Sequence, residues 1–518
     1  MGGCAKNIAV KMKVAIVWFL FISFLFFVAD DVFAAKWDSS RSLSLSGIYS
    51  SNVDFSSLNE ESEFITRVRP SVEINGLGRR LNFNLAYSPA VLAYKNSPSR
   101  NKLFHKLNTG ADVEIIPEIF FFGGVASISQ SIIDAKSSAR LDSLTSGNLT
   151  DIMTLSFGPS ISHDFNGYLR GGLNYKLGLV QYPDTTNISD SESELTTLTL
   201  SSGRRFRRLT WEGSYSDSVV KRDFLADSLR ESAAASVRYK LIPSLAVLVR
   251  SGYENNQITS SNTLVNGSYS SAGFSWKPSR HISFDATKGD LSEDANLVWT
   301  PFSRMTLVVG YVNRGVGVNV GSVWSGQITH RSRRSTWQAG YQENVTNLQR
   351  LQVVGQQAFA QIDAQGNLVI DPSSGFPVIL NTNIFGLTDE EFLIKRANMT
   401  YTLTTGKSVL SFSPSKETRI YELSDTVENV LDMTASWSWR FASKTRSLFT
   451  MSWQDRGYSV DNRKDILKRA SVQLSKDFSP RVQVSTEYRF VERTSTAAGS
   501  EYQDHQIRVS LTKQFQRN

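Results

Sequence analysis

The chain has 518 residues, of which 40% are hydrophobic, 11% aromatic and 20% charged, with a formal net charge of +8 and a mean hydropathy of −0.23. This hydropathy excludes a bundle of membrane-spanning helices, and the aromatic content excludes a disordered chain. The single cysteine, Cys4, excludes a disulfide scaffold and a cysteine-rich metal site. The composition fits a transmembrane β-barrel, in which outward apolar residues alternate with polar ones and the mean hydropathy resembles that of a soluble protein.

The N-terminus predicts a secretory signal peptide. Three lysines precede the apolar run Val14 to Ala29, and Val32-Phe33-Ala34 follows it as a cleavage site. The run is shorter than the ~20 residues needed to span a bilayer, which favours a signal over a membrane anchor. We expect residues 1–34 to be removed after Ala34 following Sec-type export, with Met12 as an alternative start site.

From residue 35 onward the dominant pattern is period-two alternation, which places one set of side chains on each face of a strand. Clear examples are Leu81 to Tyr87, Leu169 to Leu179, Ala233 to Tyr239, Val320 to Ile328, Val482 to Phe490 and Ile507 to Phe515. A soluble β-sandwich also alternates, but with shorter strands around a buried core. The long runs therefore favour a barrel.

Short turns marked by proline or by Gly-Arg recur along the chain. They centre near residues 77, 117, 165, 204, 243, 279, 302, 332, 406, 444 and 479. The other connections are longer and polar, Ser216 to Arg222 among them, as in outer-membrane barrels. Eleven hairpins, one strand before them (Leu43 to Tyr49) and one after (Gln506 to Phe515) predict an all-β fold. We expect residues 35–518 to form a single large transmembrane antiparallel up-and-down β-barrel of about 24 strands (22–26), with both termini in the periplasm.

Aromatic residues cluster beside the turns and at the far ends of strands. Those that suggest two interfacial girdles are Tyr87, Tyr175, Tyr215, Tyr239, Tyr253, Trp276, Trp299, Tyr311, Trp337, Tyr341, Trp439, Trp453 and Tyr488. The alternative is that aromatics simply favour strands.

One connection is much longer than the rest, at about residues 344–391, and it contains apolar stretches. Long loops without secondary structure are usually functional or disordered. This loop either folds into the barrel and constricts it or forms a small extracellular hairpin.

The sequence contains no recognisable catalytic or metal-binding motif. The five histidines, His105, His163, His281, His330 and His505, are dispersed without metal-ligand spacing. There is no G-x-S-x-G elbow and no phosphate-binding loop. We therefore expect a protein that is not an enzyme and that has no cofactor and no metal site, although a Ser/His/Asp set at a barrel rim would leave no sequence motif.

Arginines concentrate at three short turns and are the candidate contact residues. They are Arg79, Arg80, Arg204, Arg205, Arg207, Arg208, Arg331, Arg333 and Arg334. In periplasmic turns they would contact outer-membrane lipid phosphates or a periplasmic partner, or would simply be solvated. Export from the cytoplasm excludes nucleic acid as a partner despite a sequence pI of 9.3.

Polar residues that alternate within the strands are candidates for the lumen wall. They are Asn82, Asn84, Arg170, Asn174, Lys176, Arg238, Gln338, Gln473, Gln483, Glu487 and Arg508. Amide and charged groups of this kind suit a hydroxyl-rich solute, and they suit small ions equally well.

Several segments resemble one family. They are Glu63-Phe64-Ile65-Thr66, Arg69-Pro70, Gly78-Arg79-Arg80-Leu81, Ile128-Ser129-Gln130, His330-Arg331-Ser332-Arg333-Arg334-Ser335-Thr336-Trp337, Tyr341, Glu343, Leu387-Thr388-Asp389-Glu390-Glu391-Phe392-Leu393 and Lys395-Arg396. In these the chain resembles the outer-membrane proteins associated with the PEP-CTERM/exosortase system of Gram-negative bacteria. That resemblance implies a role in exopolysaccharide export at the outer membrane, with exopolysaccharide and periplasmic export components as partners.

Three functions remain open at this point. The leading hypothesis is a non-enzymatic outer-membrane barrel that serves exopolysaccharide export. The second is a general diffusion porin or solute channel. The third is a structural or adhesion barrel that is plugged by the long loop.

Overall fold

The computed structural model describes residues 35–134, 136, 148–183, 188–224, 226–258, 264–318, 320–347 and 387–515. The predicted signal peptide with its cleavage site at Ala34, and most of the predicted loop at 344–391, lie outside these residues. No helix in the described part of the chain is long and apolar enough to cross a membrane.

The described residues form 26 strands and one 3₁₀ turn, Pro98–Arg100. The strands are β1 (Lys36–Ser50), β2 (Glu63–Leu77), β3 (Leu81–Tyr87), β4 (Ala90–Tyr94), β5 (Lys102–Phe104), β6 (Leu107–Ile116), β7 (Phe120–Ile132), β8 (Leu149–Phe165), β9 (Leu169–Gln181), β10 (Ser191–Ser202), β11 (Leu209–Arg222), β12 (Ser228–Ile242), β13 (Leu245–Gln257), β14 (Gly267–Ser279), β15 (Ile282–Asp290), β16 (Ser292–Phe302), β17 (Met305–Arg314), β18 (Gly321–Arg331), β19 (Ser335–Thr346), β20 (Phe392–Thr404), β21 (Ser408–Tyr421), β22 (Val427–Ala442), β23 (Thr445–Tyr458), β24 (Lys464–Ser479), β25 (Val482–Ser495) and β26 (Tyr502–Gln514).

These strands close into one antiparallel barrel. β3 and β4 both pair with β2 and share one position in the wall, and β5 and β6 share the next. The 26 strands therefore make 24 barrel strands, since two positions are each built from two pieces. β1 pairs with β26 over Ser42–Ser50 and Gln506–Gln514, which closes the circle. The predicted all-β single barrel of about 24 strands is confirmed.

All eleven predicted short turns lie at one end of the barrel, which we call the turn end, and the chain enters and leaves there. The other end, the loop end, differs from expectation at two places. Ser216 to Arg222 was predicted as a connection but belongs to β11, because each of its residues pairs with a residue of β10. Leu291 alone connects β15 and β16, in a left-handed conformation with φ of 55°.

The barrel wall has the reverse polarity of a soluble protein. On β21, Ser411 and Ser413 are fully buried, whereas Leu410 and Phe412, which alternate with them, are 40% and 41% exposed. Ser510 of β26 is likewise buried between the exposed residues Val509 and Leu511. An apolar exterior around a polar interior is stable when the outer surface faces lipid.

Two exposed aromatics of the β13–β14 hairpin lie at different heights on this apolar surface. Trp276 pairs in register with Leu245 near the turn end, and Tyr253 lies eight residues further along β13. At a strand tilt of about 40° this separates the two levels by roughly 20 Å, close to the ~25 Å apolar band of such barrels. The positions fit two interfacial girdles.

Candidate functional site

The lumen face is identified by ion pairs that skip intervening strands. Arg238 of β12 pairs with Asp285 of β15 at 3.4 Å, and Arg250 of β13 with Asp294 of β16 at 2.9 Å. Strands three positions apart are separated by about 14 Å along the wall. Side chains span that distance only on the concave inner surface. With its apolar exterior, the chain is a membrane-spanning β-barrel of the outer-membrane type.

The lumen wall over β20 to β26 carries carboxylates that are each shared by two arginines. Glu417 is fully buried and pairs with Arg396 at 2.5 Å and with Arg419 at 2.7 Å. The predicted lumen residues Glu487 and Arg508 belong to a similar group, in which Glu487 pairs with Arg508 at 3.1 Å and with Arg489 at 2.7 Å. Each of these two groups holds two arginines and one carboxylate, so the charged band has an excess of positive charge.

The arginines and lysines that form ion pairs within the strands occupy opposite faces of the wall. The paired cations described above are arginines that face the lumen. Lys221 pairs with Glu194 at 3.2 Å and Lys468 with Glu492 at 2.9 Å, on the outer surface near the loop end. A guanidinium holds two carboxylate oxygens at once and loses less hydration on burial than an ammonium, so arginine suits the interior.

Closer to the turn end, hydroxyl groups line the lumen. Ser510 donates to Ser46 at 2.9 Å, and Thr512 donates to Ser44 at 3.1 Å. Ser271 of β14 also donates to Thr287 of β15 at 3.1 Å, but nearer the loop end. Along β1 and β26 the inner surface thus passes from hydroxyl groups to paired charges.

The residues Leu387 to Glu391 lie across the loop end instead of following the wall. Glu391 is fully buried and pairs with Arg230 of β12 at 2.5 Å, although its own strand, β20, is eight barrel strands away, about 38 Å along the wall. The amide of Asn347 donates to the other Glu391 oxygen at 2.5 Å. Contacts over this distance require the segment to cross the lumen.

The same segment is held at its other end by two loops. The backbone N–H of Leu387 donates to the carbonyl of Ile133 at 2.9 Å. The backbone N–H and the hydroxyl of Ser189 both donate to Asp389, at 2.8 and 2.7 Å. Leu387 also packs on the buried cluster of Ile152, Val180, Tyr182 and Ile188.

The connection after β7 continues the crossing to the opposite wall. Arg463 and Arg493 both donate to the carbonyl of Lys136, at 2.7 and 3.0 Å. Leu467 of β24 packs against Ile132 and Leu149. We call Ile132 to Asp134, Lys136, Asn148, Leu149 and Leu387 to Glu391 together the mouth bridge. It joins β24 and β25 through the β7–β8 connection to β12 and β20.

Electrostatics and burial reinforce the bridge. The Lys136 ammonium lies 3.0 Å from Asp461 and lowers the pKa of that carboxyl, so the pair persists into moderately acidic solution. Burial raises the pKa of the Tyr182 phenol, which therefore stays neutral beneath Leu387.

The nine predicted arginines all lie at the turn end, but on three separate turns. Eight of them are exposed and Arg80 is half-buried. The turn at 203–208 is the longest of the eleven and is tied to the neighbouring turn at 166–168. Arg205 stacks on the Tyr168 ring at 4.4 Å and donates to its hydroxyl at 2.8 Å.

Gly203 makes this attachment possible, and its substitution provides a test. A Cβ at Gly203 would lie 2.1 Å from the carbonyl oxygen of Gly167, so Gly203→Ala should separate the two turns. We expect trypsin to cleave the variant at the 203–208 arginines several-fold faster than the unmodified protein. Gly406→Ala is the matched control, because a Cβ there has no neighbour within 4 Å. Equal cleavage rates in both variants would contradict the packing described here.

The sequence pattern did not predict the bridge residues Asp389 and Glu391 or their wall partners Arg230 and Asn347. Arg230 could have been found, since it shares the alternation of the correctly placed Arg238 on the same strand. Its partner Glu391 could not have been found, because alternation shows which face of a strand a residue occupies. It does not show which residue from across the lumen will contact that face.

Within the described ranges, no group of three or more His, Cys, Asp or Glu residues lies close enough to hold a metal ion.

No protein-family model and no curated protein matches the chain. Among solved structures, the FrpB iron transporter of Neisseria meningitidis is similar at 8% identity over 94% of this chain and 83% of that one, with a TM-score of 0.49. The siderophore receptor PirA of Acinetobacter baumannii is similar at 10% identity over 92% and 80%, with a TM-score of 0.44. OmpT, an outer membrane protein of Vibrio cholerae, is similar at 8% identity over 64% of this chain and 99% of that one, with a TM-score of 0.26. Similarity at this level says nothing about what the chain binds.

Proposed function

We propose that the chain is a non-enzymatic conduit in the outer membrane of a Gram-negative bacterium, which it reaches by Sec-type export, and that it serves exopolysaccharide export in a PEP-CTERM/exosortase system. The observation that most supports a conduit is the polar lumen beneath the mouth bridge. The resemblance in sequence supports polysaccharide as the cargo.

The lumen chemistry suits a hydrated sugar chain. Serine and threonine hydroxyls exchange hydrogen bonds with sugar hydroxyls and with water at little net cost. Arginine–carboxylate pairs such as Arg508–Glu487 present donors and acceptors side by side. A polymer can therefore move along the wall by exchanging one hydrogen bond for another.

The mouth bridge keeps the conduit closed between export events in this proposal. Glu391 and Arg230 hold it from one side, and Arg463 and Arg493 hold it from the other. A periplasmic export component that docks on the arginine turns, beside the phosphates of the inner leaflet, brings the polymer to the turn end.

Deletion of the gene tests this function. We expect the surface polysaccharide of the deletion strain to fall several-fold, and a plasmid copy to restore it. A diffusion porin predicts unchanged polysaccharide together with slower uptake of small solutes, and this result would contradict the proposal. Variants of the lumen that still insert as barrels should fail to restore the polymer.

A second candidate is a closed structural or adhesion barrel that acts through its outer loops. The bridge itself favours it, because contacts hold the bridge from both sides of the lumen. The two candidates differ after the bridge is released. An export conduit then conducts and admits polymer, whereas a structural barrel loses stability without any gain in transport.

A further inference from the structure

The two ends of the barrel carry opposite charge. The eleven turns contain thirteen arginine or lysine residues and one acidic residue, Glu118, which gives a net charge of +12. The described residues of the loop-end connections contain fourteen acidic and four basic residues, a net charge of −10. The formal charge of the whole chain, +8, conceals this separation.

Five arginines of the turn end remain available to a ligand. Arg204, Arg207 and Arg208 are exposed and form no ion pair within the described part of the chain, and Arg333 and Arg334 share both properties. Glu118, the acidic residue of the turns, lies four residues after Glu114 and forms no ion pair with an arginine of the described residues. A ring of uncompensated charge around an aperture focuses its field on the entrance.

The lumen beyond this ring offers exchangeable sites for anions. Each arginine of the lumen wall described above is paired with one carboxylate side chain. Glu487, for example, pairs with both Arg489 and Arg508. A carboxylate on a passing polymer matches the same guanidinium geometry and can occupy it in turn. A neutral polymer cannot make this exchange.

We infer that the cargo is an acidic polysaccharide, a polymer that bears carboxylate groups, captured at the turn end. This inference rests on the proposed function and names the substrate class of that same lumen. The positive ring raises the local concentration of such a polymer at the periplasmic entrance. The acidic loop end repels the same polymer from outside, so capture runs in one direction.

Single-channel block by polymers of matched length tests the charge preference. Polygalacturonate, a polymer of carboxylate sugars, and neutral dextran are added to one compartment and then to the other, in a phosphatidylcholine bilayer that holds the chain with its bridge released by Glu391→Gln. We expect polygalacturonate to block at least about tenfold more often from the turn end than from the loop end in dilute salt. Dextran should block equally from both. At about 1 M salt, where screening extends over only ~3 Å, the asymmetry should disappear.

The orientation of each pore can be established chemically. Cys4 is the chain's only cysteine, so the chain from residue 35 has none. Ser443→Cys at the turn end or Ser500→Cys at the loop end then provides a single target for a membrane-impermeant thiol reagent added to one compartment.

A charge-matched pair of variants completes the test. Changing Arg204, Arg205, Arg207 and Arg208 to glutamine should reduce the polygalacturonate block rate from the turn end at least threefold. Changing Lys221, Lys288, Lys395 and Lys468 to glutamine removes the same charge from the outer loop-end surface and should leave that rate unchanged. Equal block by both polymers from both ends, in pores that conduct, would overturn the inference while leaving the conduit intact. A protein that never conducts, even with the bridge released, would overturn the conduit itself.

Discussion

Replacing Glu391 by glutamine is expected to raise the single-channel conductance several-fold. The carboxylate is fully buried and forms a 2.5 Å pair with Arg230, so the variant leaves a largely buried guanidinium without its charge partner. Breaking a buried pair of this kind costs about 3–5 kcal/mol, which is enough to shift the mouth bridge from mostly closed to mostly open. Conductance in a planar bilayer reports the change directly, and Arg230→Ala should have the same effect.

The matched control for this variant is Glu194→Gln. Glu194 also pairs with a cation, Lys221, but both side chains are about half exposed on the outer surface. Such pairs contribute about 0–1 kcal/mol and do not touch the lumen, so the conductance should not change. If Glu391→Gln and Glu194→Gln behaved alike, the bridge would not be what limits the current.

Two adjacent alanines test the polarity of the wall with the second-largest expected effect. Ala235 lies on the outer face of β12 beside Val237, and Ala234 lies on the lumen face between Arg230 and Arg238; both alanines are exposed. Ala235→Arg places a charge inside the apolar band, between the two aromatic levels, and should destabilise the barrel by up to about 2–4 kcal/mol. Ala234→Arg places the same charge in the hydrated lumen and should cost less than about 1 kcal/mol.

Urea unfolding in lipid vesicles, followed by tryptophan fluorescence, measures both changes in the free energy of unfolding. Both variants replace one alanine of β12 with arginine, at adjacent positions. Differences in β-strand propensity and side-chain size therefore cancel when the two are compared. A larger loss of stability for Ala234→Arg than for Ala235→Arg would contradict the assignment of the two faces.

Most of the fold could be predicted from the sequence because each barrel strand depends on its own residues and on its nearest neighbour. Alternation placed Val509 and Leu511 on one face and Ser510 on the other. Proline and glycine marked the hairpins. The prediction was wrong at Ser216 to Arg222 because the strand continues to the loop end through polar residues, which the sequence pattern could not distinguish from a connection.

The candidate site could be predicted only in part. The turn arginines were correctly placed at one end, since a turn is a local feature. The mouth bridge depends on closure of the barrel, which brings Ile133 near Leu387 and Glu391 near Arg230 across the lumen. The periodicity of the sequence does not show which residues the closure of the barrel brings together. The role of the arginine turns depends on the ligand and stays a proposal.

Planar-bilayer conductance of the refolded chain 35–518, measured with Glu391→Gln and with exopolysaccharide from the same organism, tests the central claim most directly. We predict a small current in the unmodified protein, a large current in the variant, and reversible block of the variant by the polymer. A large ohmic current in the unmodified protein that is indifferent to the polymer would contradict the account and identify a diffusion porin.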